Sequence, residues 1–187
     1  MTLIFGALGL FTTSLAWELK AYEVDSLNVG ILIVINTIGG TVGIILSGFV
    51  LGKQRQYKRW TIISSFGAAF WLLIQLISLE LGSLVLLFVT AGFFGLFLYP
   101  FLTLISDFSA EVSFPVGEAT ATGTLLFGGQ IVGFFGAFLI QLLFDGKDKW
   151  KTRIGALIII LMLFLGSFVI FWVKEDLRRA KYEREAF

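Results

Sequence analysis

Residues 28–51 read NVGILIVINTIGGTVGIILSGFVL, a run of 24 residues without a charge. At 1.5 Å per residue, a helix of this length reaches about 36 Å and crosses the ~30 Å hydrocarbon core of a bilayer. Five more uncharged runs bring the number of predicted spans to six. The six spans are residues 2–17, 28–51, 60–79, 81–106, 119–144 and 154–173. The sequence therefore predicts an all-α integral membrane protein, with six transmembrane helices in one domain over residues 1–187.

The first run, residues 2–17, has an alternative interpretation as a cleaved signal peptide. Its shortness fits a signal peptide. A signal peptide normally begins with a basic segment, however, and no basic segment precedes this run. We therefore expect a transmembrane helix there.

The composition excludes most soluble and catalytic classes. Hydrophobic residues make up 57% of the chain and charged residues 14%, against about 25% charged residues in soluble domains. Cys and His are both absent, which removes thiolate metal sites and imidazole catalysis. The net charge of +1 gives no field that would attract nucleic acid. We expect no cofactor and no enzyme activity; an intramembrane enzyme is the weakest alternative, because the spans contain no paired carboxylates.

The positive charges predict the orientation. The connection at 52–59 and the tail at 174–187 together hold nine Lys and Arg residues, whereas the connections on the other side hold five. Cytoplasmic segments carry the excess of Lys and Arg. We therefore expect both termini to be cytoplasmic, with residues 174–187 forming a cytoplasmic tail.

Small residues recur at four-residue spacing in two spans, at Gly39 and Gly43 and again at Gly129 and Gly133. Such spacing lets membrane helices approach closely. Ordinary helix packing is one interpretation of these glycines. Helices that slide along them during a conformational cycle are the other, and the spacing does not separate the two.

Polar side chains inside the spans must face protein or water. Asn36 and Gln130 lie well inside their spans, and Tyr99 adds a hydroxyl group. Each buried amide either joins two helices or contacts a ligand. Gln75 and Gln141 are also candidates for buried amides, but they lie near span ends, where they could instead reach the headgroups.

The connection at 107–118 is acidic, although its side of the membrane is otherwise basic. It contains Asp107, Glu111 and Glu118 and no Lys or Arg. Glu118 falls at the start of a span, where a carboxylate interacts well with the helix dipole, and Pro115 is suited to lead into that helix. These carboxylates are expected to pair with basic residues or helix N-termini; a solvated loop is the alternative.

Several segments resemble one transporter family in order along the chain. The first segment is a motif that consists of a Glu, two residues, an aromatic residue, a Pro, two residues and a second Glu. It occurs here as Glu111, Phe114, Pro115 and Glu118. The other matching segments are residues 27–30 (LNVG), 48–51 (GFVL), 88–92 (FVTAG), 123–126 (GTLL), 129–133 (GQIVG) and 174–179 (KEDLRR). The chain thus resembles the feline leukaemia virus subgroup C receptor-related transporters, solute carrier family 49 of the major facilitator superfamily.

The resemblance implies that the six spans correspond to helices seven to twelve of a twelve-helix carrier with a substrate site at the midplane. It implies choline, ethanolamine or haem as cargo, and places Gln130 in the central cavity. Tyr99 and Asn36 are further candidates for substrate contact, and Phe101 and Trp17 for an aromatic face that a quaternary ammonium ion would favour.

The resemblance also implies a gate and a missing partner. Glu111 and Glu118, with Asp107 and Pro115 beside them, resemble a cytoplasmic gate rather than substrate ligands. Position 52 departs from the family. The charged motif of the superfamily has an Asp there, whereas this chain has Gly52. The expected partners are the bilayer, a small organic solute, and either an N-terminal six-helix half or a second chain. The leading hypothesis is half of an alternating-access carrier; a non-transporting structural subunit derived from such a half is the alternative.

Overall fold

The computed structural model describes residues 6, 19, 22, 24–53, 57–143 and 149–172. They form five helices and, within these ranges, no strand. All five are long and apolar enough to cross a membrane. The helices are α1 (Ser26–Lys53), α2 (Tyr57–Glu80), α3 (Leu84–Ser113), α4 (Glu118–Leu143) and α5 (Lys149–Trp172). The predicted all-α membrane fold is confirmed.

Two predicted segments lie outside these residues. The predicted span 2–17 is described only at Gly6, and the predicted tail 174–187 is not described. The remaining five predicted spans correspond to α1 to α5, with their ends shifted by a few residues. The largest difference concerns the connection predicted at 107–118, because α3 continues to Ser113 and leaves only four residues before α4.

Helix α3 is the centre of the bundle, packing against α1, α2 and α4, while α5 packs on α2. A stripe of side chains at seven-residue spacing explains this position, since such spacing keeps residues on one helix face. The stripe consists of Leu87, Phe94, Phe101 and Phe108, which are all almost completely buried. These side chains fill the space between α3 and its neighbours.

The turn between α2 and α3 is three residues long and has a clear local cause. Gly82 follows the last turn of α2 with φ of +66°, a conformation that costs glycine little. Ser83 then caps α3, its hydroxyl accepting a hydrogen bond from the Leu86 amide at 3.5 Å. This tight turn makes α2 and α3 antiparallel neighbours.

Candidate functional site

Helices α1 and α3 run parallel and touch through their backbones. A Cβ atom built on Gly39 would lie 2.2 Å from the carbonyl oxygen of Gly92, and one on Gly43 would lie 2.3 Å from that of Leu96. Real Cβ atoms essentially never come within 3.0 Å of another heavy atom in this way. The glycines are therefore required for this contact, which we call the α1–α3 seam.

The α1–α3 seam brings together two of the predicted substrate residues. Asn36 is buried there, and its backbone carbonyl oxygen would lie 2.0 Å from a Cβ on Gly95. One turn further along, the partly buried Tyr99 ring packs against Gly40. Asn36 and Tyr99 therefore lie about one helical turn apart on neighbouring helices, and their substrate contacts stay predictions.

A proline on α3 gives the seam an unusual acceptor. Pro100 lies inside the helix and has no amide hydrogen, so the Leu96 carbonyl lacks its normal intrahelical donor. Gly43 of α1 packs against this carbonyl, and a Cβ at Gly43 would also contact the Pro100 ring. Pro100 is not among the predicted site residues, although a proline within an apolar run is a usable signal.

Gln130, the third predicted substrate residue, is on a different helix. It lies midway along α4, about 18 Å from the helix start at Glu118, and its side chain is exposed. Its neighbours on the same face, Phe127 and Phe134, are also exposed. The structure therefore places Gln130 on an open, apolar helix face and does not bring it into the α1–α3 seam.

The buried face of α4 contains the other predicted glycine pair. Gly129 and Gly133 are buried, and Gly6 packs against Val132 so closely that a Cβ on Gly6 would lie 2.4 Å from a methyl carbon. The same Cβ would lie 3.2 Å from the Gly129 carbonyl oxygen. The small-residue spacing on α4 therefore marks a close contact with Gly6, while Gln130 lies beside it on the exposed side.

The predicted gate residues cluster at one end of α3 and α4. Asp107 and Glu111 lie in the last turns of α3 rather than in a loop, Pro115 lies in the short connection, and Glu118 begins α4 as predicted. Both glutamates are close enough to Asp107 to repel it electrostatically. One carboxylate oxygen of Glu111 is buried and accepts no hydrogen bond from the residues that the structure describes. The arrangement concentrates negative charge at this end; its role as a gate stays a prediction.

An ion pair joins α2 and α5 at the opposite end of the bundle. The Arg153 Nε atom lies 2.6 Å from Glu80 Oε1 and donates to the Tyr22 hydroxyl at 3.4 Å. The same region contains a cavity of about 220 Å³. Tyr22, Asp25, Asn28 and Ser83 are among its lining residues, and none of the predicted substrate residues is. No spacing pattern in the sequence indicates this pairing.

Gln75 is a buried amide, which is the first of the two interpretations that the sequence offers for it. The alternative, that it reaches the headgroups, is wrong, because its side chain is only 2% exposed and precedes Leu76 of the core. Its amide oxygen has no hydrogen-bond partner among the residues described. The side chain of Gln141, the other predicted headgroup amide, and the aromatic candidate Trp17 lie outside the described part of the chain.

A resident metal ion has no evident site in the part of the chain that the structure describes. There, no group of three His, Cys, Asp or Glu side chains is arranged to hold one.

Known proteins similar to this chain are membrane transporters. The choline/ethanolamine transporter FLVCR2 of Homo sapiens is 29% identical over 178 residues, covering 94% of this chain and 32% of its own length. The choline/ethanolamine transporter flvcr2a of Danio rerio is 31% identical, with 89% and 35% covered. An uncharacterized MFS-type transporter of Caenorhabditis elegans is 28% identical, with 95% and 30% covered.

This chain is related to the feline leukaemia virus subgroup C receptor-related transporters. The predicted family resemblance is thereby confirmed, and with it the assignment to the major facilitator superfamily. The chain spans about a third of the length of the relatives that it matches. No family model matches the chain.

Proposed function

We propose that this chain forms part of a carrier that moves a small organic amine of the choline and ethanolamine class by alternating access. The names of the related transporters support this class of cargo. Haem does not occur in the names of these relatives, so an amine is the proposed cargo. The observation that carries the proposal is the exposed Gln130 amide halfway along α4.

An exposed amide at this depth is unfavourable against lipid. Moving an amide from water into an apolar medium without a hydrogen bond costs roughly 2–7 kcal/mol. Polar residues in membrane spans therefore face a protein surface or a water-filled cavity. For Gln130, which lies among the exposed Phe127 and Phe134, this favours a second protein surface that encloses a polar cavity.

The burial of the helices indicates which faces this second surface would cover. Only 22% of the apolar stretch of α1 and 17% of that of α4 are buried, against 44–50% for α2, α3 and α5. In the proposed carrier, α1 and α4 face the other half, which is supplied by an N-terminal six-helix half or by a second chain. The cavity then lies between the two halves, as in other carriers of the superfamily.

The cargo would be held by aromatic and amide groups. A quaternary ammonium ion is attracted to an aromatic face by about 0.5–2 kcal/mol, more where water is excluded. In this proposal Tyr99 provides such a face, Gln130 accepts a hydrogen bond from the cargo, and Asn36 holds the helix that carries the site. Glu111 and Glu118 would close the cytoplasmic side.

The test is uptake of radiolabelled choline and ethanolamine into vesicles containing this chain together with the N-terminal half of a related transporter. Gln130→Ala should lower uptake at least tenfold at matched protein levels. Thr124→Ala is the matched control, because Thr124 is an exposed polar residue of α4 whose hydroxyl donates to the Thr120 carbonyl of its own helix at 2.8 Å. Equal uptake by the parent chain and Gln130→Ala would contradict the proposal.

A non-transporting membrane subunit is the second candidate, and the Gly52 departure favours it. The charged superfamily motif would then have lost one member because no gate operates. Purification of the chain in a stoichiometric complex, with transport unchanged by Gln130→Ala, would support this alternative.

A further inference from the structure

The cavity of about 220 Å³ near the Arg153–Glu80 ion pair lies where three helix ends meet, and we call it the Asp25 cavity. Asp25 and Asn28 line it at the start of α1, Ser78 lines it at the end of α2, and Ser83 lines it just before α3. The ends of three helices therefore fix the position of this cavity.

The apolar wall of the Asp25 cavity is part of the hydrophobic core. Leu79 and Leu87 line the cavity and are only 5% and 2% exposed. Both belong to a cluster of buried residues against which the partly buried Tyr22 and Val24 pack, and these two residues line the cavity as well. Side chains that are closely packed in this way have few alternative positions. The cavity therefore has a defined shape.

Hydrogen-bonding groups line the rest of the Asp25 cavity. Asn28 is partly buried and contributes an amide. The Ser78 hydroxyl donates to the Ile74 carbonyl at 2.7 Å, so toward a ligand it can act only as an acceptor. The Ser83 hydroxyl accepts from the Leu86 amide and retains its own hydrogen for donation. The cavity therefore offers both donors and acceptors to a small polar molecule.

Asp25 gives the cavity a negative charge. Its side chain is exposed and forms no ion pair with any residue that the structure describes. Arg153 donates to the Tyr22 hydroxyl at 3.4 Å but is already paired with Glu80 at 2.6 Å. An unpaired carboxylate and an aromatic ring thus line the same cavity, and both attract a cation.

We infer that the Asp25 cavity binds a small organic cation that carries an ammonium group. The ammonium group would lie between the Asp25 carboxylate and the Tyr22 ring, and a hydroxyl group of the ligand would bond to Asn28 or Ser78. Pockets for drug-sized ligands have about 300–1,000 Å³, so a cavity of 220 Å³ suits a smaller molecule. This inference does not depend on the transport proposal, because binding here requires neither Gln130 nor a second half.

Two other classes of ligand fit the Asp25 cavity less well. Both α1 and α3 begin at the cavity, and the positive ends of their dipoles would attract an anion, but the Asp25 carboxylate opposes it. A bare hard metal ion takes six or more oxygen ligands, which the leucine wall does not supply. The experiment must therefore separate an organic cation from an anion.

The test uses single thiols in the full chain, which has no Cys of its own, in lipid nanodiscs that leave both membrane faces accessible. Leu84→Cys reports on the cavity because Leu84 lines it. Val85→Cys is the matched control, because Val85 is the next residue, is 75% exposed and does not line the cavity. The probes are choline and its uncharged isostere dimethylbutanol, in which carbon replaces the nitrogen. We expect choline alone to slow modification of Leu84→Cys by a thiol reagent, and neither probe to affect Val85→Cys.

Substitutions in the Leu84→Cys chain then test the cause, and the choline concentration that halves the protectable rate measures the affinity. A carboxylate and an ammonium group about 4 Å apart attract each other by about 1 kcal/mol in water, so Asp25→Asn should weaken choline binding by about fivefold. Asp25→Glu keeps the charge and should preserve most of the affinity, which controls for folding. Tyr22→Leu should also weaken binding, whereas Tyr22→Phe, which keeps the ring, should not.

Three results would overturn the inference. The first is equal protection of Leu84→Cys by choline and dimethylbutanol, or protection by neither. The second is an affinity for choline that survives Asp25→Asn unchanged. The third is protection by inorganic phosphate in place of choline, because the starts of α1 and α3 would then form an anion site. None of these measurements involves Gln130, so a failure of the transport proposal would be seen separately.

Discussion

Substituting Gly39 by alanine tests the α1–α3 seam with a single added methyl group. The new Cβ would lie 2.2 Å from the Gly92 carbonyl oxygen, whereas ordinary van der Waals contact begins at about 3.4 Å. The obstructing atom belongs to a backbone, so no side-chain rotation can relieve the clash. The two helices must therefore separate by about 1 Å.

The magnitude follows from a comparison within the same helix. Overpacking a tight contact costs about 1–3 kcal/mol. Gly48, also on α1, has no heavy atom within 4 Å of the position that an alanine methyl group would occupy. Both alanine variants gain the same helix propensity of about 0.5–1 kcal/mol. The difference between Gly39→Ala and Gly48→Ala therefore isolates the packing cost, which should be about 1–3 kcal/mol.

Thermal unfolding in one detergent, followed by size-exclusion chromatography, measures this difference. A chain of this size shifts by about 2–4 °C per kcal/mol, so Gly39→Ala should melt about 2–12 °C below Gly48→Ala. Equal melting temperatures for the two variants would refute the close contact between α1 and α3. A lower temperature for Gly48→Ala would refute the assignment of its position as open.

Three further outcomes are expected from the packing and the orientation. Phe94→Ala should lower the free energy of unfolding by about 3–5 kcal/mol, because the side chain is fully buried, while Phe134→Ala should change it little, because Phe134 is exposed. Unfolding in mixed detergents measures both variants. Similar losses in the two would contradict the assignment of Phe94 to the core. Arg153→Gln should change the free energy of unfolding little, because water screens an ion pair that is 38% exposed on each side; a loss as large as that of Phe94→Ala in the same assay would contradict this expectation. Because the chain has no Cys, labelling of Val116→Cys and Ser83→Cys with a membrane-impermeant thiol reagent reports the orientation of α3. We expect Val116→Cys to react from the cytoplasmic side and Ser83→Cys from the other side. Reaction of both from the same side would contradict a membrane-spanning α3.

The helices are well predicted because length and hydrophobicity decide them. An uncharged run such as 28–51 has few structures open to it in lipid other than a helix, and α1 covers it completely. Helix ends are harder, because charged residues can continue a helix beyond the hydrocarbon. The charge pattern therefore places Asp107 and Glu111 in a loop, although they lie in the last turns of α3.

The direction that a side chain faces could not be predicted, because it depends on neighbouring helices. Gln75 and Gln130 are both amides in apolar helices, yet the first is buried and the second is exposed. The pairing of Asn36 with Gly95, and of Tyr99 with Gly40, likewise depends on the crossing of α1 and α3. Glycine spacing indicates that a close contact exists, but not which helix makes it.

The parallel arrangement of α1 and α3 has a consequence for synthesis. Asn36 is buried against a segment of α3 that leaves the ribosome about sixty residues later. At 5–20 residues per second, the nascent α1 waits about 3–12 s before that segment exists. During this interval its amide must be shielded from lipid by the insertion machinery or by a transient contact with α2. The biogenesis of this bundle therefore includes a stage at which α1 is made but the helix that buries its polar residue is not.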